Sequence, residues 1–591
     1  DNMKRLTIIA ATLAATLSLG AKTQFFEHSL TFPKGATDDM KVELASRVVP
    51  TANQLQWQNL ELTAFLHFGV NTFTGREWGD GKETEDTFNP TDLDAEQWVR
   101  TLKEAGFNLV ILTAKHHDGF CLWPTKTTKH CVANSKWKDG KGDVVRELRD
   151  ACDKYGMKLG LYLSPWDRNA ECYGDSPRYN DMFVAQLTEL LTNYGTVDEV
   201  WFDGACGEGP NGKKQEYDWT RFKETIRTLQ PNAVLAITGD DVRWVGNEGG
   251  VGRETEWSVT PLTPAIFPEA KEANGRLGIN DMSKDIGSRE LLVKADKMYW
   301  WPSEVDVSIR PGWFYHSDEQ PKSLAHLSRI YLESVGRNSV LLLNIPPDKR
   351  GRIAECDSLR LMEFHRWVQK SFTDNKITGK HGNNHQILTF DKPAKVNCVQ
   401  IEEDIAKGQR IEQFEVIVKA GKGFKVVGKG TTVGYKRMIT FPAEETSEVR
   451  VVVKAARGIA IVKDLSAYLL ADVAEEETTD NLQYLPSDGW KAQATDTSIE
   501  IDFGAPAQVS GFIYTPKPGS SMAFKYRVWV SEDGKEWKRC GAPDEFSNIE
   551  NNPIPQKVSL DHIFTTRYVK IDCVEAINGL SGITLNELKF F

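Results

Sequence analysis

The stretch Thr196-Val-Asp-Glu-Val-Trp-Phe-Asp-Gly-Ala205 predicts the fold of the region around it. Its short apolar run ends at Asp203 and the turn residue Gly204, a pattern typical of a buried strand. An acidic side chain at the carboxyl end of a parallel barrel strand lies where barrel enzymes carry out their chemistry. Asp203 is therefore a candidate catalytic residue, and the structural alternative is that it only caps the following turn.

Apolar runs and helical patterns alternate on both sides of this stretch, at a spacing of roughly 40 residues. Such alternation predicts parallel βα units. A (β/α)₈ barrel over residues 22–372 is favoured over an open sheet, because the first strand lacks a Gly-rich nucleotide turn and candidate site residues follow several strands. The pattern is hard to assign over 237–309, which indicates an irregular barrel there. The predicted strands cover 60–70, 107–113, 158–164, 197–203, 233–238 and 339–344.

The pattern changes beyond Trp367, where short alternating segments replace the long helices. Alternation with Gly and Pro turns predicts a β-sandwich over residues 378–471. The acidic, polar stretch 472–480 has the composition of a linker. A second β-sandwich is predicted over residues 480–591.

Composition places the chain among ordinary soluble proteins. The chain of 591 residues, with 40% hydrophobic and 26% charged residues, needs several domains and is neither disordered nor a membrane bundle. A net charge of −11 argues against a nucleic-acid partner, because phosphate binding needs basic patches. The 17 Trp residues suggest carbohydrate as a ligand, since aromatic faces stack on sugar rings. The nine Cys residues form no CxxC spacing, so we expect neither a disulfide framework nor a zinc site.

The N-terminal segment has the features of a secretory signal peptide, predicted over residues 1–21. A basic start at Lys4 and Arg5 precedes an apolar core and a small-residue end at Ala21. This core is too short for a stable membrane span, and no Cys near the cleavage site supports a lipoprotein anchor. The protein is therefore expected to be periplasmic or secreted, without a membrane partner.

Hydrolysis of a glycoside needs two carboxyl groups, one as nucleophile or base and one as acid. Asp203 is the first candidate, and several acidic residues on the chain that follows could supply the second. Glu248 has the best local context, because its neighbouring glycines let the backbone bend and Trp244 offers an apolar wall that raises a carboxyl pKa. Glu254 and Glu304 remain alternatives, since sequence proximity cannot choose among residues carried on long loops.

Three histidines, His67, His116 and His117, follow predicted strands and offer donors for sugar hydroxyls. Structural roles and metal binding are the alternatives. Metal binding is disfavoured, because successive side chains on a strand point to opposite faces and the adjacent imidazoles would diverge. We therefore expect no metal. A Ser-His-Asp triad is not indicated, because Gly-x-Ser-x-Gly is absent.

Five motifs, in this order over residues 45–370, resemble glycoside hydrolase family 29, the α-L-fucosidases. The resemblance implies an irregular (β/α)₈ barrel and a retaining mechanism through a covalent fucosyl-enzyme, without a metal or organic cofactor. The substrate would be a fucosylated oligosaccharide or glycoconjugate. The motifs are His67-Phe-Gly, Glu77-Trp78, Lys115-His-His-Asp-Gly-Phe120, Val200-Trp-Phe-Asp-Gly204 and the stretch from Trp301 to Phe314.

The same resemblance implies roles for individual residues. Asp203 is the nucleophile, and Glu248 is the acid/base at a separation of about 5–5.5 Å. The segment Arg243-Trp-Val-Gly-Asn-Glu248 resembles the branch that prefers α-1,3- and α-1,4-linked fucose, with Glu304 and Glu254 as rivals for the acid/base role. The implied substrate-binding residues are His67, Glu77, Trp78, His116, His117, Trp201 and Trp313.

The last domain is similar to discoidin-type (F5/8 type C) and family 32 carbohydrate-binding modules. The resemblance rests on 499–504, 531–537 and 567–571, which belong to the scaffold. Glycan binding by this domain and a purely structural role both remain open. For the whole chain, a retaining glycosidase acting on another sugar, such as a galactoside, and a non-catalytic carbohydrate-binding protein are the alternatives to a fucosidase.

Overall fold

Eight parallel strands form the first sheet of the computed structural model, which describes residues 26–474, 482–546 and 549–591. Their spatial order is β5-β4-β3-β2-β1-β8-β7-β6, and a parallel bridge between Ala236 and Val242 links the two outermost strands. The ring is thus a (β/α)₈ barrel closed by one bridge. The strands are β1 (Leu62–Leu66), β2 (Leu109–Lys115), β3 (Lys158–Leu163), β4 (Glu199–Phe202), β5 (Val234–Ile237), β6 (Arg243–Trp244), β7 (Ser303–Ser308) and β8 (Ser339–Asn344).

A helix of 10 or more residues follows each of six strands of the barrel. The first of these helices shows how the sequence forms them. In the helix after β1, Trp98, Val99 and Leu102 are buried at helical spacing, while the carboxylate of Asp94 accepts the backbone N–H of Gln97 at 2.9 Å as an N-cap. The helices are α1 (Ala95–Glu104), α2 (Val144–Tyr155), α3 (Ser176–Asn193), α4 (Trp219–Leu229), α5 (Leu324–Ser334) and α6 (Glu355–Gln369).

The barrel is irregular between β5 and β7, as the sequence predicted. Among the described residues, no helix separates β5 from β6. The chain between β6 and β7 carries the short helices Ala270–Leu277 and Arg289–Leu292, and also two strands of a small antiparallel sheet. That sheet consists of Ser29–Thr31, Lys297–Trp300 and Val259–Thr260.

Every residue of β1, β2 and β4 is buried, as expected for parallel strands covered on both faces. Polar side chains come directly after these apolar runs. His67 follows β1, His116 follows β2 and Asp203 follows β4. Because the strands are parallel, their carboxyl ends meet at one rim of the barrel, which gathers these side chains.

Two antiparallel sheets follow the barrel, which confirms the predicted fold class. The middle sheet has the order β9-β15-β11-β14-β12-β13, with β10 paired to β11; the C-terminal sheet has the order β16-β17-β20-β18-β19, with β21 paired to β17. The strands are β9 (Lys376–Ile377), β10 (Lys380–His381), β11 (Ile387–Glu403), β12 (Ile411–Ala420), β13 (Gly423–Gly430), β14 (Arg437–Ala456), β15 (Val462–Tyr468), β16 (Lys491–Ala494), β17 (Ser498–Tyr514), β18 (Met522–Ser531), β19 (Lys538–Arg539), β20 (Gln556–Ile577) and β21 (Leu588–Phe590).

The chain falls into two units. The first contains residues up to Thr74, Gly79–Gly246 and Gly250–Ala474, so that the barrel and the middle sheet belong together. The second contains Gly75–Trp78, Asn247–Gly249 and Glu475–Phe591. None of the described helices is long and apolar enough to cross a membrane. The predicted signal peptide and most of the predicted linker lie outside the described residues, and the predicted domain boundaries stay predictions.

A buried amide joins the barrel to the middle sheet within the first unit. Asn338 accepts the backbone N–H of Tyr435 through Oδ1 at 2.9 Å and donates through Nδ2 to the carbonyl of Glu256 at 3.1 Å. Gly434 has a φ of +69°, and a Cβ added there would lie only 2.1 Å from the Asn338 amide. Glycine is therefore required here both by the backbone conformation and by the close approach of the two elements.

We predict that Gly434→Ala lowers the free energy of unfolding by about 2–4 kcal/mol, through left-handed strain and overpacking together. The matched control is Gly421→Ala, where φ is +59° but no atom lies within 4 Å of the added Cβ. Gly421→Ala should lower the free energy of unfolding by about 1 kcal/mol, through left-handed strain alone. Urea unfolding of the full chain, followed by tryptophan fluorescence, measures the free energy of unfolding of both variants. An equal loss of stability in the two variants would contradict the close packing of Gly434 against Asn338.

Candidate active site

Asp203 presents its carboxylate at the barrel rim, with about 24% of the side chain exposed. Oδ1 accepts the backbone N–H of Ala205 at 2.8 Å, and Oδ2 accepts the phenol O–H of Tyr162 at 2.9 Å. Hydrogen bonds donated to both oxygens fix the orientation of the carboxylate. An oriented carboxylate that a ligand can reach is what nucleophilic attack on a sugar requires.

Tyr162, near the end of β3, is a site residue that sequence reasoning missed. Its ring stacks on His116 (centroids 5.5 Å apart, 11° between planes) and on Trp201 (5.2 Å, 18°). Burial, together with the charge of Asp203, raises the pKa of Tyr162 well above its usual value of 10, so that the phenol remains a donor. The feature of the sequence that could have indicated Tyr162 is a phenol group one position before the end of an apolar strand.

His116 and His117 lie side by side, with ring centroids 4.2 Å apart. The expectation that the adjacent imidazoles diverge is wrong, because β2 ends at Lys115 and both residues lie beyond the strand. One ligand atom from each of His116, His117 and Asp203 lies within 4.8 Å of the others, so that this group could hold a metal ion. The expectation that the enzyme uses no metal stays a prediction.

Hydrogen bonding assigns the tautomer of His117. The hydroxyl of Ser164 donates to the carbonyl of Trp166 at 2.7 Å, and it therefore accepts from His117 Nδ1, which lies 2.8 Å away. Nε2 of His117 lies 3.8 Å from Oδ2 of Asp203. A ligand hydroxyl near Nε2 would thus lie beside the Asp203 carboxylate.

Burial keeps both imidazoles neutral. It lowers the pKa of His117 from 6.5 to about 4, although the charge of Asp203 acts in the opposite direction. Burial and the neighbouring imidazoles also lower the pKa of His116 well below its usual value. A neutral imidazole can both donate and accept, which suits the recognition of hydroxyl groups.

Asn344, the last residue of β8, is a second residue that sequence reasoning missed. Its Oδ1 accepts from the backbone N–H of His67 at 3.1 Å and from the ring Nδ1–H at 2.9 Å. Its Nδ2 donates to the carbonyl of Trp313 at 2.8 Å. Asn344 thus orients two residues that the sequence had predicted, and the rings of His67 and Trp313 lie 5.0 Å apart.

Glu304 and Glu199 are a pair of buried carboxyl groups inside the barrel, and Glu304 binds the indole of Trp201. Trp201 donates through Nε1 to Oε1 of Glu304 at 2.7 Å, and the Glu304 side chain is 0% exposed. Oε2 of Glu304 and Oε1 of Glu199 are both buried and have no other hydrogen-bond partner, so they can share one proton. Burial and the charge of Glu199 raise the pKa of Glu304 well above 4.5, while burial raises the pKa of Glu199 to about 7.

Of the remaining predicted residues, Glu77, Trp78 and Glu248 belong to the second unit and Glu254 belongs to the first. Glu77 and Trp78 lie in Gly75–Trp78, where the Trp78 ring is 6.5 Å from Phe524. Glu248 lies in Asn247–Gly249, and its backbone N–H donates to the carbonyl of Asn551 at 3.2 Å. Glu254 has an 80% exposed side chain, 3.9 Å from Arg337.

The first unit therefore brings together most of the predicted site at one rim. Roles for the residues of the second unit stay predictions. The residues gathered at the rim are His67, His116, His117, Trp201, Asp203 and Trp313, joined by Tyr162 and Asn344.

Comparisons with known proteins agree with this arrangement. The α-L-fucosidase family model matches residues 47–371, and the F5/8 type C domain model matches residues 473–587. Alpha-L-fucosidase 1 of Arabidopsis thaliana is 40% identical over 459 residues, which cover 71% of this chain and 87% of the plant protein.

Solved structures show the same likeness. A crystal structure of a provisionally assigned α-L-fucosidase from Bacteroides ovatus shares 55% identity at a TM-score of 0.75, covering 96% of this chain and 99% of that one. A Ruminococcus gnavus family 29 fucosidase, crystallised in complex with fucose, shares 30% identity at a TM-score of 0.61, covering 72% of this chain and 95% of that one. Because the family model matches more than half of its length, this chain belongs to the α-L-fucosidases, the glycoside hydrolases of family 29.

Proposed function

We propose that the chain is a retaining exo-α-L-fucosidase that releases fucose from α-1,3- and α-1,4-fucosylated glycans through a covalent fucosyl-enzyme. The observation that carries this proposal is the carboxylate of Asp203, which is reachable from the rim and receives hydrogen bonds from Tyr162 and the backbone of Ala205. These donors hold the carboxylate in one orientation for attack on the anomeric carbon.

In this mechanism Asp203 attacks the anomeric carbon while Glu248 protonates the leaving oxygen. Glu248 then removes a proton from the water that releases fucose. Neutral His116 and His117 bind ring hydroxyls beside the nucleophile, and the indole of Trp201 gives the pocket an apolar wall. Fixed donors in a largely enclosed site favour the charge distribution of the transition state.

The linkage preference rests on the resemblance of the segment 243–248 to the branch that acts on α-1,3- and α-1,4-linked fucose. The substrate would then be a fucosylated oligosaccharide or glycoconjugate of the Lewis type. Export to the periplasm or the medium follows from the signal-like N-terminus. The F5/8 type C domain would add glycan binding outside the catalytic pocket.

Two acidic residues that rivalled Glu248 have surroundings unsuited to an acid/base. Glu304 is enclosed in the barrel and bound to Trp201, so a leaving group at the rim could not reach it without disrupting the core. The Glu254 side chain is 80% exposed and lies 3.9 Å from Arg337, so it is not enclosed in a pocket that could hold a substrate. These observations weigh against the two named rivals and support the proposal for Glu248.

Replacing the two proposed catalytic carboxyl groups should give different results. Asp203→Ala should lower kcat/KM by at least about 10³-fold on every fucoside, because no covalent intermediate can form. Glu248→Ala should lower kcat/KM by about 10²–10⁴-fold on a Lewis-type trisaccharide. The decrease should be much smaller on an aryl fucoside, because its leaving group needs little protonation. Liberated fucose and aryl alcohol are measured with each substrate.

Azide separates the two roles. With Glu248→Ala it should attack the fucosyl-enzyme and give α-fucosyl azide, whereas any rescue of Asp203→Ala should give the β-anomer. Glu254→Ala is the matched control, expected to retain wild-type rates. Near-wild-type activity of Glu248→Ala would exclude its acid/base role. Equal wild-type turnover of an α-1,2-linked trisaccharide would contradict the proposed linkage preference.

Glu304→Gln should keep kcat/KM within about twofold of wild type, because glutamine mimics the protonated carboxyl group. Its oxygen accepts from Trp201, and its NH₂ donates to Glu199. Glu304→Ala should instead lower the free energy of unfolding by about 2–4 kcal/mol, since it leaves a cavity and an unpaired indole N–H. If Glu304→Gln lost the trisaccharide activity, kept turnover of the aryl fucoside and formed α-fucosyl azide from it in the presence of azide, Glu304 would be the acid/base.

A further inference from the structure

A hairpin of the middle sheet brings two histidines together, far along the chain from the barrel residues. Strand β10 pairs antiparallel with β11 in the register His381–Leu388. Across the turn, the backbone N–H of Gly382 donates to the carbonyl of Ile387 at 2.9 Å, and that of His385 donates to the carbonyl of Gly382 at 3.3 Å. The rings of His381 and His385 consequently lie 5.1 Å apart.

Strand β15 adds oxygen atoms to this pair of imidazoles. His381 Nε2 lies 3.4 Å from Oδ1 of Asp464 and 2.8 Å from the carbonyl oxygen of Leu465. One ligand atom each from His381, His385 and Asp464 lies within 4.8 Å of the other two. Two separate elements of the sheet thus direct nitrogen and oxygen atoms to one point.

The carboxylate of Asp464 is held in place by a neighbouring hydroxyl. Ser466 donates through Oγ to Oδ2 of Asp464 at 2.7 Å, which leaves Oδ1 on the side of His381. Orienting hydrogen bonds of this kind are typical of carboxylates that bind metal ions.

The turn that carries the second histidine has an uncommon backbone. Asn384 and His385 both have positive φ values, 65° and 54°, although neither is glycine. Consecutive left-handed residues are energetically unfavourable and concentrate where structure serves a function. Here they keep His385 next to His381 rather than extending the strand.

We propose that His381, His385 and Asp464 bind a divalent transition-metal ion, zinc in the first place. Two imidazoles and one carboxylate suit zinc, whereas calcium and magnesium prefer sets of oxygen ligands. Ligand atoms of a tetrahedral zinc site lie about 3.4 Å apart, given metal–ligand distances near 2.1 Å. The His381–Asp464 separation already has that value, and a small closure of the turn brings in His385.

On binding, His381 carries its proton on Nδ1 and directs Nε2 to the metal, replacing its hydrogen bond to Leu465. The carbonyl oxygen of Leu465 or a water then completes the coordination. The ion ties the turn between β10 and β11 to β15, so metal binding should stabilise the middle sheet. None of these residues has a role in the proposed fucosidase mechanism, and the two proposals can fail independently.

The test is titration of the metal-free full-length protein with Zn²⁺ by calorimetry, together with thermal unfolding with and without Zn²⁺. His385→Ala and Asp464→Asn should each bind one zinc fewer per chain than wild type, or bind it at least about tenfold more weakly. Both variants should lose the zinc-dependent rise in unfolding temperature. Because they leave His116, His117 and Asp203 intact, the difference from wild type reports only on the middle sheet.

His562→Ala is the matched control, since His562 is a half-exposed histidine paired with Asp561 at 3.2 Å and belongs to no three-ligand group among the described residues. It should keep the wild-type stoichiometry and the zinc-dependent stabilisation. Fucosidase activity of His385→Ala, measured without added metal, should equal that of wild type. The proposal is overturned if wild type binds no Zn²⁺, or if His385→Ala binds it with unchanged stoichiometry and affinity.

Discussion

The hydrogen bond from Trp201 to Glu304 supports the whole rim of the barrel, because the residues above it stack on one another. Trp201 stacks on Tyr162, Tyr162 stacks on His116, and the Tyr162 phenol donates to Asp203. The position of the Asp203 carboxylate therefore depends on a buried carboxyl group. An ionised Glu304 beside an ionised Glu199 would be strongly unfavourable in this enclosure. Sharing one proton removes that repulsion and keeps an acceptor for the indole.

Burial also determines the charge around Asp203. A protonated imidazole 3.8 Å from Asp203 would form an ion pair and reduce the nucleophilicity of the carboxylate. Burial lowers the pKa of His117 to about 4, so the ring remains neutral near neutral pH. Asp203 is then held by neutral donors, which orient the carboxylate without pairing its charge. The surrounding rings can still recognise hydroxyl groups.

The sequence predicts the barrel and Asp203 because strand periodicity and a terminal acid are local signals. Tyr162 escaped detection because it lies within an apolar run, where the pattern indicates only burial. Asn344 ends its strand as a polar residue, a signal like that of Asp203, but its contact with His67 depends on the pairing of β8 with β1. The error about His116 and His117 has another cause: strand alternation was applied to two residues that follow the strand, which ends at Lys115. The irregularity between β5 and β7 was predicted because the alternation of strands and helices breaks down there. The small antiparallel sheet was not predicted, because it pairs strands that are far apart in the sequence.

The proposed acid/base is harder to place from the sequence than the proposed nucleophile, for a physical reason. Asp203 follows a strand whose register is fixed by its neighbours on both sides, so its place at the rim follows from the fold. Glu248 lies on a glycine-bounded loop, whose path depends on contacts that sequence periodicity does not encode. A loop can change length and direction without disturbing the barrel. A fold of this kind can therefore keep one nucleophile while its acid/base and its linkage preference vary with the loops.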